Sequence, residues 1–296
     1  MEWVGYLLIL AYTLCNLGES LFVREYAKRH GSGGMLMNAV IALFAALFFL
    51  ITDKGGFLVP GEMLPLALIN CCLYAAGFYF TFVAFRIGPY GLTRLISSFS
   101  LLFTVVYGIF FLNEATTVFT YIGLAFIVGA MVLINYRGRG ASAEEEGKIS
   151  FKWFLYLMIS VVANGFIGIL TRMQQIKFDD ACTNEFQFIS IGGSFLLLTV
   201  LGLIIDRDKL GTVLKRGTLY GLGAGLFNGA KNFLAPVIYL YIEISTAGPI
   251  KTGLGMVAAF LVALLLYKEK YTRLQKLGVL LGVLAVILLA LPKDLI

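Results

Sequence analysis

The chain has 296 residues, 59% of them hydrophobic and only 14% charged, where ordinary soluble domains carry about 25% charged residues. A mean hydropathy of +0.89 leaves too little polar surface to coat a soluble globule. The net charge of +6 does not argue for nucleic acid, because the basic residues fall in short segments between apolar runs, where membrane orientation explains them.

Ten apolar runs follow one another along the chain: 3–23, 33–52, 63–85, 89–112, 117–134, 152–171, 184–205, 217–241, 247–267 and 273–291. Each is close to the roughly 20 residues that cross about 30 Å of hydrocarbon. The runs are continuous rather than alternating, which excludes a spanning barrel. The sequence predicts an all-α polytopic membrane protein with ten transmembrane helices. The first run has Glu2 and no basic leader, so it reads as a spanning helix rather than a cleaved signal. Cys15, Cys71 and Cys72 fall inside runs and Cys182 beside one, a spacing that suits neither a zinc site nor a disulfide framework.

Charge gives the topology. Connections 1–2, 3–4, 5–6, 7–8 and 9–10 hold seventeen of the Lys and Arg residues; the other side holds five, with Lys231 set apart inside a run. The basic connections are expected in the cytoplasm and both termini outside. The longest strongly polar stretch, 137–150 (RGRGASAEEEGKIS), divides the chain into 1–136 and 151–296, and reads as a tether between two five-helix units. Glu114 and Glu269 each precede a glycine by nine residues, Gly123 and Gly278, and are read as structural helix-end residues. Asn16 and Asn164 each stand eight residues before an arginine, Arg24 and Arg172. Connections 2–3 and 4–5 carry one and no basic residue, whereas their equivalents 7–8 and 9–10 carry four each. A second copy that gains positive charge at equivalent loops is oriented the opposite way, so the two units are expected to be inverted repeats.

Gly88-Pro89 opening the fourth run, the LNE and YKE endings at Glu114 and Glu269, and the glycine-spaced helices after them are carried by nearly the whole chain. In these features it resembles the drug/metabolite transporter superfamily, in its ten-helix EamA-type members. The segment 249–289 also looks like the closing helix pair of the four-helix small multidrug exporters. The resemblance implies two inverted five-helix halves around a central path lined mainly by the first four helices of each. It implies a peripheral last helix that often packs between subunits, leaving room for a homodimer. It also implies efflux across the cell inner membrane or plasma membrane.

Candidate site residues follow from polarity inside the runs. Asn16 and Asn164 fall about where, by that resemblance, the small exporters carry an embedded glutamate; an amide hydrogen-bonds but does not ionise, which argues against simple proton-coupled cation efflux. Glu19, one turn on, and Glu185, which begins the seventh run, are the candidate proton-coupling acids. Either is equally readable as structural: Glu19 by pairing near Arg24 and Lys28, Glu185 by complementing a helix N-terminus. Arg94, with Ser97, Ser98 and Ser100 after it, reads as an anion-binding fork or a cytoplasmic anchor. Lys251 is a weaker candidate of the same kind. Tyr74, Tyr79 and Tyr239 are candidate path-lining aromatics.

Lys231 is the sharpest signal, because an ionised group in mid-membrane costs at least about 2.5 kcal/mol unless partnered. Asn228 and Asn232 flank it, and Pro236 frees the carbonyl of Asn232. It reads as an ammonium that binds a carboxylate or phosphate, or as one half of a structural pair with an acid such as Glu185. Gly221, Gly225 and Gly229 recur every four residues, a spacing for close helix packing. His30 lies in a basic loop, and no phosphate loop, nucleophile elbow or metal or cofactor motif is present.

The sequence therefore reads as a non-enzymatic secondary transporter working by alternating access. Its expected solute is a small polar metabolite, anionic or zwitterionic such as an amino acid. Three rivals stand beside it: a multidrug organic-cation exporter, a flippase for lipid-linked headgroups, and a non-transporting scaffold or sensor.

Overall fold

The computed structural model describes residues 2–31, 33–52, 59–113, 117–135, 150–179, 181–268 and 272–289. The tether 137–149, Glu114, Glu269 and Lys54 lie outside the described residues. Among the described residues the regular structure is helical throughout, in eleven helices of eight residues or more. These are α1 (Glu2–Arg29), α2 (Gly34–Thr52), α3 (Leu64–Ile87), α4 (Tyr90–Ser97), α5 (Ser100–Phe111), α6 (Val118–Asn135), α7 (Phe151–Lys177), α8 (Thr183–Ile205), α9 (Thr218–Tyr239), α10 (Ile244–Leu265) and α11 (Arg273–Leu289). Six segments, in α1, α2, α3, α7, α8 and α10, are long and apolar enough to cross a membrane. Leu7, Leu10 and Leu14 on α1 and Leu196, Val200 and Leu203 on α8 point outward and are exposed. Rows of that kind belong against lipid rather than water. This is a multi-pass membrane protein.

Local chemistry sets the helix ends. α1 closes with Lys28 and Arg29 in its last turn, where cations complement the helix dipole, and Gly31 follows at φ 61°, a left-handed stop that glycine takes without strain. Pro65 sits in the first turn of α3, where its missing N–H costs nothing. Ser150 caps α7 by accepting from the Lys152 N–H at 3.2 Å.

The run 89–112, expected as one helix, is two. The chain breaks at Ser98-Phe99 between α4 and α5. Ser97 donates to the Thr93 carbonyl at 2.8 Å, Ser98 to Arg94 at 3.1 Å and Ser100 to Ser97 at 3.0 Å. Clustered hydroxyls offer the carbonyls an alternative to the helical ladder, and an interrupted backbone at membrane depth is tolerated where it lines a cavity.

Packing runs through paired seams. α1 lies along α9, α3 along α7, α2 along α8 and α9, α3 also along α8, and α6 along α11. Gly225 and Gly229 on α9 lie against Phe44 and Phe48 of α2 so closely that an added Cβ would come within 2.6 and 2.7 Å of them. Gly221 meets Val40 in the same way. The four-residue glycine spacing is thus a packing seam, as expected. Helix directions follow from these contacts. The end of α3 meets the start of α7 at Gly88 and Trp153, while the start of α3 meets the end of α7 in the Glu62–Lys177 pair at 3.2 Å. α3 and α7 are therefore antiparallel.

Where α1 ends and α2 begins, the bundle is tightly closed. Arg24 is buried and donates through Nη1 to the carbonyls of Phe85 and Gly88, each at 2.6 Å. Its guanidinium lies 5.4 Å from the ring centre of Tyr267. The Ser20 and Tyr90 hydroxyls are 2.8 Å apart. Tyr26, Phe82, Phe85 and Tyr90 fill the space around them as the largest apolar cluster of the fold.

Candidate functional site

Polar stripes from both halves converge on one central cavity of about 260 Å³. α1 contributes Tyr12, Asn16, Glu19 and Val23, spaced i, i+4, i+7, i+11 and therefore on a single face. α3 contributes Tyr74 and Thr81, and α7 Asn164 and Thr171. α9 adds Asn228, Lys231, Asn232 and Tyr239. The α4–α5 break delivers Arg94, Ser97, Ser98 and Ser100, and α10 delivers Lys251 and Thr252.

Three groupings emerge. In the first, Lys231 forms an ion pair with Glu19, the two side chains only 18% and 12% exposed. Asn228 donates to the other Glu19 oxygen at 2.8 Å, and Asn232 donates to Asn228 at 2.9 Å. Charge and lone pairs are mutually satisfied, which is what allows both ions to persist away from bulk water. The acid facing Lys231 is thus Glu19 and not Glu185.

In the second, Lys251 is 8% exposed and has no carboxylate beside it among the described residues. Its ammonium donates to the Tyr239 hydroxyl at 2.7 Å and lies 4.9 Å from the ring centre of Tyr12. Arg94 is half-buried, and its guanidinium makes no hydrogen bond or ion pair among the described residues. α4 packs on α10, so these two cations stand on adjoining helices.

The third is neutral. Asn164 donates to the Ser160 carbonyl at 2.8 Å, and the Ser160 and Thr81 hydroxyls are 2.5 Å apart. Tyr74 donates to Gln187 at 2.9 Å.

Two expected residues lie off the cavity. Tyr79 follows Tyr74 by five positions, about 140° around a helix, so the two cannot share a face; Tyr79 packs with Ala39 and Leu198 instead. Glu185 is buried in the first turn of α8, where a carboxylate suits the helix dipole. α9 continues as helix through Pro236 to Tyr239.

Tyr12 was not foreseen, although its place one turn before Asn16 on the same face would have found it. Thr81 and Thr171 carried no signal of their own, being ordinary hydroxyls in apolar helices. Among the described residues no group of three His, Cys, Asp or Glu could hold a metal ion.

Residues 3–136 match the EamA-like transporter family. The chain is 26% identical over 267 residues to "Putative sugar uptake protein lin0215" of Listeria innocua, covering 88% of this chain and 87% of that one. It is 27% identical over the same length to "Putative sugar uptake protein lmo0176" of Listeria monocytogenes, with the same coverage. A solved structure described as "Crystal structure of protein" superposes with a TM-score of 0.65 over 98% of each chain at 11% identity, a likeness of fold. A polar cavity inside an apolar helical bundle is what such a family requires, and the EamA-like match over residues 3–136 together with the two relatives points to a membrane transporter rather than an enzyme.

Proposed function

We propose that the chain is a secondary transporter of ten spans, built as inverted repeats 1–136 and 151–296 about the tether 137–150, that carries a small solute bearing an anionic group by alternating access. The observation that carries the solute class is the charge of the cavity. Three cations, Arg94, Lys231 and Lys251, face one carboxylate, Glu19, and an ionised group held away from water requires a counter-charge.

The packing supports the inverted repeat. Exchanging α1 with α7, α2 with α8 and α3 with α9 turns the α1–α9 seam into α7–α3 and the α2–α9 seam into α8–α3, and all four seams exist. α1 runs parallel to α3, because Arg24 near its end reaches Phe85 and Gly88 at the end of α3; α7 runs antiparallel to α3. The first helices of the two units therefore point opposite ways. Alternating access is supported by an asymmetry. α1 packs on α3 at the Arg24 end, whereas no comparable seam joins α7 to α9, and the Arg172 side chain makes no hydrogen bond among the described residues where Arg24 makes two through Nη1. One end is clamped while the pseudo-equivalent clamp is undone, as a two-gate carrier in one of its states requires.

Counterflow in proteoliposomes, with labelled amino acids, organic anions and organic cations, tests the reading. Saturable flux of an anionic or zwitterionic solute is expected; flux of cations alone would overturn it in favour of a multidrug exporter. A second reading is a neutral sugar, favoured by the names of the two Listeria relatives and by the hydroxyl and amide content of the cavity. The resemblance brings export across the inner or plasma membrane, while those names speak of uptake; flux measured from each face of oriented vesicles decides direction.

A further inference from the structure

Charge is unevenly distributed around the cavity, and the unevenness describes the solute more closely. On the α1–α9 wall the charges cancel: the Glu19 carboxylate is held by Lys231 and Asn228, and the amides continue through Asn232. What that wall offers is a dense alternation of donors and acceptors. It is the pattern that exchanges hydrogen bonds with neighbouring hydroxyls, because each hydroxyl donates one bond and accepts others.

The α4–α10 wall is different. Lys251 has only a phenol and an aromatic face for company, and the Arg94 guanidinium has no partner among the described residues. No acid lines this wall among the described residues. Two formal positive charges therefore await something that the protein does not supply. Ser97, Ser98 and Ser100 surround Arg94 with their protons already donated to helix carbonyls or, for Ser98, to the Arg94 carbonyl itself, so they present acceptors rather than donors.

We infer that the cavity recognises a polyhydroxylated organic anion, a sugar acid or a compound of that chemistry, with its carboxylate between Arg94 and Lys251 and its hydroxyls against the Glu19–Asn228–Asn232 chain. The inference rests on the anion-transport reading and moves the anion-binding role from Lys231, already neutralised, to Arg94 and Lys251. Lys231 becomes a positioning residue that holds Glu19 ionised and oriented. A simple amino acid fills the charged end and leaves the amide chain unanswered. A neutral sugar does the reverse. A hydroxylated carboxylate satisfies both.

The test uses the full chain in proteoliposomes or nanodiscs, with D-gluconate and D-glucuronate as probes and D-glucose, succinate and L-alanine as comparators. One of the sugar acids is expected to bind at least about 10-fold tighter than every comparator, since satisfying or orphaning a buried charged hydrogen bond is worth a factor of that order. Arg94→Gln and Lys251→Met should each weaken sugar-acid binding by roughly 10-fold to 100-fold, while their melting transitions in detergent stay intact and binding of D-glucose changes by no more than about twofold. Glu19→Gln should erode the preference for sugar acids over succinate. Succinate or alanine binding as tightly as the sugar acids would overturn the hydroxyl subsite yet leave the anion reading standing. Glucose binding as tightly as gluconate, or folded Arg94 and Lys251 variants with unchanged affinity, would overturn the carboxylate subsite. No saturable binding of any anion would overturn this inference together with the reading beneath it.

Discussion

α1 and α7 are the same kind of helix put to different uses. Stepping from one to the other by 148 positions (164 minus 16, and 172 minus 24) brings Asn16 onto Asn164 and Arg24 onto Arg172, but brings Glu19 onto Ile167. Where α1 meets α9 through an ion pair, α7 meets α3 in an apolar cluster that joins Ile167 and Tyr74. Where Arg24 grips two carbonyls through Nη1, the Arg172 guanidinium makes no hydrogen bond among the described residues. On the proposed repeat, the two helices share a frame, and the asymmetry between them comes from a handful of residues on their inner faces.

The largest effect expected from breaking this comparison is at the clamp. Arg24→Met removes two hydrogen bonds from a charged donor, each worth about 1.5–3 kcal/mol, and leaves the Phe85 and Gly88 carbonyls to find other partners. Exchange should fall by a factor on the order of 100, and cysteines placed near Gly31 should label faster with a polar thiol reagent. The matching Arg172→Met should leave labelling at that end unchanged. Equal effects of the two substitutions on the same end would end the two-gate account.

Second comes the ion pair. Glu19→Gln leaves Lys231 as an unmatched cation and should cost about 1–3 kcal/mol, below the range for fully buried pairs because both side chains keep some exposure. Glu19→Gln combined with Lys231→Met removes both charges and should recover most of the lost melting temperature. A double variant no more stable than the single one would mean that the two groups are not coupled. Installing the missing acid by Ile167→Glu should be worse than either, since the α3 side of that contact offers an aromatic ring rather than an ammonium.

These contrasts also show how far the sequence could be read. Hydropathy alone reaches the membrane-spanning helical class, because run length against bilayer thickness is a one-dimensional question. Lys231, Asn228 and Asn16 were legible as polar intrusions into apolar runs, and the Gly221-Gly225-Gly229 seam as a spacing. The partner of Lys231 was not: Glu19 and Lys231 are 212 positions apart (231 minus 19), and only the antiparallel α1–α9 seam brings them together. Tyr79 sits off the cavity because its angle around α3, and not its aromatic identity, decides what it faces. The break at Ser98 went unseen because clustered serines in an apolar run are compatible with an intact helix until the direction of each hydroxyl is known.

Third in size is a pair of glycines on seams that the proposed repeat makes equivalent. A Cβ at Gly225 would sit 2.7 Å from the Ile41 carbonyl oxygen, a backbone atom that cannot swing aside. One at Gly193, on the α8–α3 seam, would meet only the Cys71 side chain at 2.9 Å. Gly225→Ala should therefore cost about 1–3 kcal/mol of stability by overpacking. Gly193→Ala should cost distinctly less, about 1 kcal/mol or below. Thermal unfolding in one detergent ranks them, and a reversed order would mean that the two seams yield to crowding in another way.

The smallest effect separates the two asparagines by what each one holds. Asn164 is engaged within the protein, donating to the Ser160 carbonyl at 2.8 Å beside the Ser160–Thr81 contact, so Asn164→Ala should lose about 1 kcal/mol of stability. The Asn16 side chain faces the cavity without a hydrogen bond among the described residues. Asn16→Ala should leave the melting temperature nearly unchanged, within about 0.5 kcal/mol, yet raise the concentration of solute needed for half-maximal exchange. The opposite result, a destabilised Asn16→Ala with unaltered exchange, would make Asn16 a structural tie and Asn164 the better candidate for touching the solute. Two residues of one type, each eight positions before an arginine in α1 and α7, then differ in whether their hydrogen bonds are already made. That difference decides which of them a passing solute can use.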